Sequence, residues 1–241
     1  MSIKHQRLDR FISEQCHIKR KDIRLLIAQK RIHVDGNIAN SIDLIIHKFS
    51  IIKLDDQTLQ KNTPLYVMLH KPIGVVCATK DDKHKTVIDL LDNLLTEKQA
   101  NSLHIVGRLD LNTSGLVLLT NDSRWSEQLT SPETKVEKCY NVTLKNPLSD
   151  EYIAAFAQGM YFPFEKITTQ PVKLTITSAT QAEVILTEGR YHQIKRMFGR
   201  FQNPVVALHR TSIGCYNLDK KLKAGESKMI SVKGAIDARE G

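Results

Sequence analysis

No stretch of the 241 residues approaches the roughly 18 consecutive apolar side chains of a membrane-spanning helix. The start, MSIKHQRLDR, lacks the apolar core of a secretory leader. Cysteine is scarce: Cys16, Cys77, Cys139 and Cys215 lie far apart, with no C-x-x-C pair and no neighbouring His pair at metal-ligand spacing. These features exclude a zinc-ligand framework and a disulfide scaffold, and lead to the expectation of a reduced, cytoplasmic protein with no membrane association and no bound metal. Low-complexity tracts and internal repeats are also missing. With 41% hydrophobic and 25% charged residues, the composition is that of a folded globular chain.

What is abundant is positive charge. The formal net charge is +9, and residues 1 to 34 carry nine Lys or Arg against three acids, a net +6 in the first seventh of the chain. A concentrated cationic segment suits a polyanion, because each neutralised phosphate releases condensed counterions; it suits equally a solvated basic surface. In this segment Leu8, Phe11 and Ile12, then Ile23, Leu26 and Ile27, recur at helical spacing. RIHVDGNIA follows as two short strands around an Asp35-Gly36 turn. The reading is helix, helix, hairpin over residues 1–60, with the polar QTLQKNTPL as the linker.

The segment 61–241 is of another kind. YVMLHKP, HIVGRLD, GLVLLTND, VEKCYNVTL, PVKLTIT, AEVILTE and NPVVALHR are short aliphatic or β-branched runs bounded by turn residues. TVIDLLDNLL, EYIAAFAQGM and YHQIKRMFGRF carry apolar residues at helical spacing. The expectation is an α+β domain with a mostly antiparallel mixed sheet and flanking helices.

Within GRLDLNTSGLVLLTND, Asp110 ends one strand and precedes a polar turn, where a rigid support can project it into a cleft. Local chemistry alone favours a plainer role, an aspartate accepting backbone hydrogen bonds in an Asx-turn. Asp110, Asn112, Ser114 and Gly115 also match the opening of a calcium-binding loop, but Asn121 stands where the bidentate Glu belongs and the residues between read as a buried strand. Tyr140 shares a strand face with Lys138, Val142 and Leu144, and Lys195 lies beside the apolar stripe Ile194, Met197, Phe198 and Phe201. Read alone, these are a core tyrosine and an exposed helix lysine. His70 and His192 have no partner at metal spacing and read as ordinary polar residues, while Lys71, Pro72 and Gly74 read as turn-forming.

Taken together, YVMLHKPIGVVCAT, GRLDLNTSGLVLLTND, EKCYNVTL and EGRYHQIKRMF followed by LHRTSIG resemble, in this order, the RsuA family of pseudouridine synthases. RLDRFIS and IRLLIAQKRIHVDGN resemble the S-four RNA-binding domain. Departures are Ala224 where the family often has Pro, and Gln202 where it commonly has Gly. The resemblance implies isomerisation of a uridine in ribosomal RNA, without a cofactor, by a monomeric chain acting on 16S rRNA or an assembling small-subunit particle; a 23S rRNA enzyme and a catalytically inert assembly factor are the alternatives. It implies Asp110 as the catalytic carboxylate, Tyr140 as a stacking and proton-handling partner, and Lys195 as the cation that keeps Asp110 ionised. An opposite charge at about 4 Å offers about 4 kcal/mol at an effective dielectric of about 20, enough to oppose moderate desolvation. Arg108 is the expected wedge behind an extruded base, and Arg190 with Gly189 is expected to open a helix that holds a phosphate. Lys19, Arg20, Arg24, Lys30 and Arg31 are the expected RNA footprint of the first domain. Deleting residues 1–60 is expected to weaken rRNA binding and to flatten the dependence of log affinity on log salt; an unchanged slope in a filter-binding titration would assign the phosphate contacts to the remainder of the chain.

Overall fold

The computed structural model describes residues 6–232. The chain separates into two compact units, with the boundary between Pro64 and Leu65; the second runs Leu65–Ser231.

In the first unit, β1 (Gln6–Arg7) leads into α1 (Leu8–Cys16), which His17 ends in the left-handed conformation at φ 56°. α2 (Arg20–Ala28) follows. Their apolar faces meet through Leu8, Phe11, Ile12, Ile23 and Leu26, and close over Ile32, Val34, Ile46 and Ile52. The strands are β2 (Ile32–Val34), β3 (Asn37–Ile38), β4 (Ile45–Ile46), β5 (Ile52–Leu54) and β6 (Gln57–Gln60). β4 pairs with β1, and the others form an antiparallel sheet in the order β3-β2-β5-β6. Asp35 and Gly36 both have positive φ, 52° and 86°, as a two-residue hairpin turn requires. The expected linker begins too early: Gln57–Gln60 is the edge strand β6, whose outer residues meet water and therefore carry no apolar alternation.

The second unit is built on one nine-stranded sheet. Its strands are β7 (Tyr66–Lys71), β8 (His104–Val106), β9 (Ser114–Thr120), β10 (Lys138–Leu144), β13 (Lys173–Ser178), β14 (Gln181–Leu186), β15 (Val205–Ile213), β16 (Tyr216–Asn217) and β17 (Ser227–Met229), with β11 (Tyr161–Phe162) and β12 (Ile167–Thr168) forming a separate ribbon. The order is β13-β14-β10-β15-β9-β7-β17, with β8 on β9 and β16 on β15. All of these pairings are antiparallel except β9 with β15, which run parallel. The α+β class and the mostly antiparallel mixed sheet are as expected. β7 and β9 are buried almost throughout, as central strands covered on both faces should be.

The helices are α3 (Glu97–Asn101), α4 (Ser123–Thr130), α5 (Asp150–Gln158) and α6 (Gln193–Gly199). α5 and α6 contribute Tyr152, Phe156, Ile194, Met197 and Phe198 to the core shared with Val67, Leu69, Val117, Tyr140 and Val142. α4, capped by the Asp122 side chain on the Arg124 N–H, packs against β8 and β9, with Trp125 edge-on to Tyr66 at 5.0 Å. The expected helix in TVIDLLDNLL does not form. Residues 86–95 are turns, in which Leu91 N–H and Leu94 N–H donate to the carbonyls three residues back. Thr86 and Asp89 bond reciprocally at the start, and the turns bury Val87, Ile88 and Leu91 without a helical ladder. No helix among the described residues is long and apolar enough to cross a membrane.

The parallel pair brings the Arg210 backbone opposite Gly115. Gly115 has φ 113°, and a Cβ there would overlap the Arg210 backbone, lying 2.6 Å from its nitrogen. Gly115→Ala is therefore expected to cost about 3 kcal/mol or more, combining overlap with a strained φ. A urea midpoint unchanged from wild type would contradict this.

Candidate active site

Asp110 sits in the turn between β8 and β9, and the backbone around it is anchored from several directions. On the approach, Leu109 N–H donates to the buried Cys77 Sγ at 3.2 Å. Past it, Thr113 N–H closes the turn on the Asp110 carbonyl at 3.1 Å, and Gly74 N–H donates to the Leu111 carbonyl at 3.0 Å. Lys71 is fully buried at the end of β7, its ammonium donating to the carbonyls of Thr113 at 2.7 Å and Pro72 at 2.9 Å. Burial pushes the Lys71 pKa down, against the opposing pull of Cys77 and Asp110. Lys71 thus braces the turn, in keeping with the structural role read from its motif.

The second brace is Arg210, 1% exposed on β15. Its Nε donates to the Leu116 carbonyl at 2.9 Å, while its terminal nitrogens donate to the carbonyls of Gly107 and Arg108 and, at 3.4 Å, to the Tyr140 hydroxyl. One guanidinium thereby joins both ends of the Asp110 turn to β10. Because the Tyr140 oxygen accepts from Arg210, the phenolic hydrogen points elsewhere.

The carboxylate meets two nitrogens. Lys195 Nζ lies 3.0 Å from Asp110 Oδ2 and His192 Nε2 lies 3.4 Å from the same oxygen. The Lys195 and Asp110 side chains are 28% and 30% exposed, so the pair stands at the mouth of a pocket rather than in the core. Asp110, Tyr140 and Lys195 line that one pocket, with Leu109, Leu186, Ile194 and Leu208 as apolar wall. Thr113 Oγ1, also in the wall, is buried without a hydrogen-bond partner, a cost of about 1–3 kcal/mol of the kind found at functional sites. The arrangement offers a carboxylate, an aromatic face with a hydroxyl, and a partly apolar pocket.

The calcium alternative loses its ligands here: Asp110 is engaged by Lys195, and Ser114 Oγ by His209 Nδ1 at 2.9 Å. Among the described residues no group of three or more His, Cys, Asp or Glu is placed to hold a metal ion.

Arg108 and Arg190 are exposed at the pocket rim. Arg190 does not open the helix as expected: α6 begins at Gln193, whose side-chain oxygen accepts from the Arg190 N–H, and Arg190 Nε bonds Glu188 at 2.8 Å. In the first unit Lys19, Arg20, Arg24, Lys30 and Arg31 are all exposed. Two of them are ion-paired, Arg20 with Asp9 at 2.7 Å and Arg31 with Asp55 at 2.7 Å. The sequence reading missed His192, set aside as ordinary, and Arg210, which lies in LHRTSIG but was given no role. His192 precedes Lys195 by three residues, a spacing that can bring two side chains to one carboxylate.

Residues 65–199 match the family model described as RNA pseudouridylate synthase. The chain is 44% identical over 228 residues to the ribosomal small subunit pseudouridine synthase A of Pseudomonas aeruginosa, covering 94% of this chain and 97% of that one. It is 41% identical over 226 residues to the enzyme of the same description from Escherichia coli K12, covering 93% and 96%. A solved crystal structure of a pseudouridylate synthase superposes with a TM-score of 0.66 at 39% identity, covering 93% of this chain and 96% of that one.

Replacing Arg210 with Met keeps most of the volume but removes the donors from three carbonyls and a phenol. The expected loss of stability is about 3–5 kcal/mol, read from denaturant titration. A loss below about 1 kcal/mol would show that these groups find other donors.

Proposed function

The chain belongs to the RNA pseudouridylate synthase family, within its RsuA branch, and on that premise we propose that it converts one uridine of 16S ribosomal RNA to pseudouridine with Asp110 as the catalytic carboxylate. The observation that carries the residue assignment is the convergence of Asp110, Lys195 and Tyr140 on one pocket from three separate elements. The relatives at 41–44% identity, all described as small-subunit rRNA enzymes, support the choice of rRNA.

The reaction breaks the bond from ribose C1′ to uracil N1 and joins C1′ to C5; the proton leaves C5 and N1 gains one. Atoms and electrons balance within the nucleotide, so the chemistry asks for no redox partner and no transferred group. An ionised carboxylate beside the sugar can add to carbon or take a proton. Lys195 pairs with it at 3.0 Å at the mouth of a partly apolar pocket and fixes where its oxygens point. Tyr140 gives the turning uracil a stacking face, and the bond from Arg210 leaves its hydrogen to be offered on the pocket side. The base reaches the pocket only by leaving its stack, and Arg108, exposed at the pocket rim, fills the gap.

Residues 1–60 serve as an S-four-like RNA-binding domain, with Lys19, Arg20, Arg24, Lys30 and Arg31 meeting the rRNA backbone. The catalytic domain follows over 61–241. The protein acts as a monomer in the cytoplasm, where rRNA and assembling small-subunit particles are found.

Chemical mapping of pseudouridine in both rRNAs, from a deletion strain complemented with wild type or Asp110→Asn, tests this. One 16S position is expected to carry pseudouridine with wild type and uridine with the variant, whose thermal midpoint should match wild type. Modification by the variant would remove Asp110 from the mechanism, and a wild-type product confined to 23S rRNA would move the substrate assignment.

A further inference from the structure

Beside the uridine pocket lies a second, wider hollow of about 550 Å³, bounded by residues 76–81 on one side and 189–192 on the other. It shares Arg108, Asp110, Arg190 and His192 with the pocket and is continuous with it. Its outstanding side chain is Tyr191, a ring left 76% exposed among charged neighbours. That ring stacks on the His192 imidazole, centroids 3.9 Å apart and planes 19° from parallel. His192 is fixed in turn: its backbone is left-handed at φ 51° and its Nε2 lies 3.4 Å from Asp110 Oδ2. A stack thus runs outward from the candidate catalytic carboxylate and ends in an aromatic face that lines an open hollow.

Resting on the isomerase reading above, we propose that this hollow seats an unstacked nucleotide flanking the target uridine, its base lying on Tyr191. Three features fit this occupant. Extruding the target breaks the stacking of its neighbours, which then need a new surface. An exposed aromatic ring is such a surface, and stacking on it tolerates any base. The charges orient the strand: Arg108 and Arg190 line the side shared with the uridine pocket, and Asp81 at the far wall repels phosphate and turns the backbone toward the arginines. Tyr191 is a positioning residue in this role. It places the strand so that the target uridine enters beside Asp110.

The test uses the full-length chain carrying Asp110→Asn, which binds without turnover, and an rRNA fragment spanning the mapped uridine with 2-aminopurine at either adjacent position. Tyr191→Ala is expected to weaken binding about five- to a hundredfold, whereas Tyr191→Phe stays within about twofold. At one of the two positions 2-aminopurine fluorescence should be quenched with Tyr or Phe at 191 and not with Ala. An abasic nucleotide at that position should cost the Tyr191 protein about as much as Tyr191→Ala does, and should cost the Ala protein nothing more. Binding by Tyr191→Ala within about twofold of the parent would overturn the proposal, as would an abasic penalty that persists in the Ala variant, since Tyr191 would then only support His192. A chain with Asp110 intact that converts no rRNA uridine overturns the isomerase reading itself, and with it the proposal; pseudouridine mapping records that outcome separately, before any Tyr191 variant is compared.

Discussion

Arg210 directs its donors at the carbonyls of Gly107, Arg108 and Leu116 and at the Tyr140 hydroxyl, and the geometry of the pocket depends on that set of bonds. A carboxylate on a turn is only as well placed as the turn, and this one, between the paired strands β8 and β9, has no ladder partner of its own. The side chain supplies what the sheet cannot, donors for the Gly107 and Arg108 carbonyls, which lie off the ladder. It can do so because β9 and β15 approach closely enough at Gly115 for Arg210 to pass beneath the turn. A side chain at 115 would push the strands apart and take the guanidinium with them. The glycine, the parallel pairing and the buried charge are therefore one device.

Apart from the rim arginines Arg108 and Arg190, the cationic or potentially cationic groups around Asp110 divide into two kinds. Lys71 and Arg210 are buried and direct their donors to backbone carbonyls, so their charge braces the protein rather than the carboxylate. Lys195 and His192 stand at the pocket mouth and point at Asp110 Oδ2. The buried pair still contributes a long-range positive potential, which in a low-dielectric wall falls off slowly. Its cost is visible in Lys71, whose pKa is lowered first by burial and further by the positive charges of Arg210 and Lys195. A pocket so surrounded favours an anionic strand at its entrance.

The strands of the second unit were legible because alternating or continuous β-branched runs are the direct imprint of a half-buried or buried sheet. β6 was not, since an exposed edge strand has no apolar face to leave a pattern. TVIDLLDNLL misled for the opposite reason: consecutive turns can bury Val87, Ile88 and Leu91 with the same spacing a helix would use. α4 carried a readable start in Asp122 ahead of RWSEQLT, a capping signal that its polar composition obscured. At the site, the ordered motifs pointed to Asp110, Tyr140 and Lys195, but motifs name residues and not contacts. Arg210 meets Gly107 across 103 positions of sequence, through a parallel pairing that no local pattern announces. Gln202 shows the converse. Where the resemblance leads to the expectation of Gly, Gln202 adopts the left-handed conformation at φ 52°, which glycine takes without steric cost.

The basic character of the first unit also means something narrower than its formal charge. Arg31 and Asp55 are both exposed, at 44% and 47%, so water screens their ion pair and a phosphate can displace Asp55 with little loss. Arg20 is held differently. Its partner Asp9 is 6% exposed and also bonds Arg7; burial opposes its ionisation, but the Arg7 and Arg10 hydrogen bonds with the charge of Arg20 hold its pKa below the ordinary value. Pulling Arg20 away would leave that buried carboxylate short of a partner, so Arg20 can reach RNA only through nitrogens that Asp9 does not use. Lys19, Arg24 and Lys30 are exposed, and among the described residues no ion pair holds them, so they differ from Arg20 in having no buried carboxylate to leave. One anchored and several unpaired cations on a surface suit a partner met through its backbone charge before any base is read.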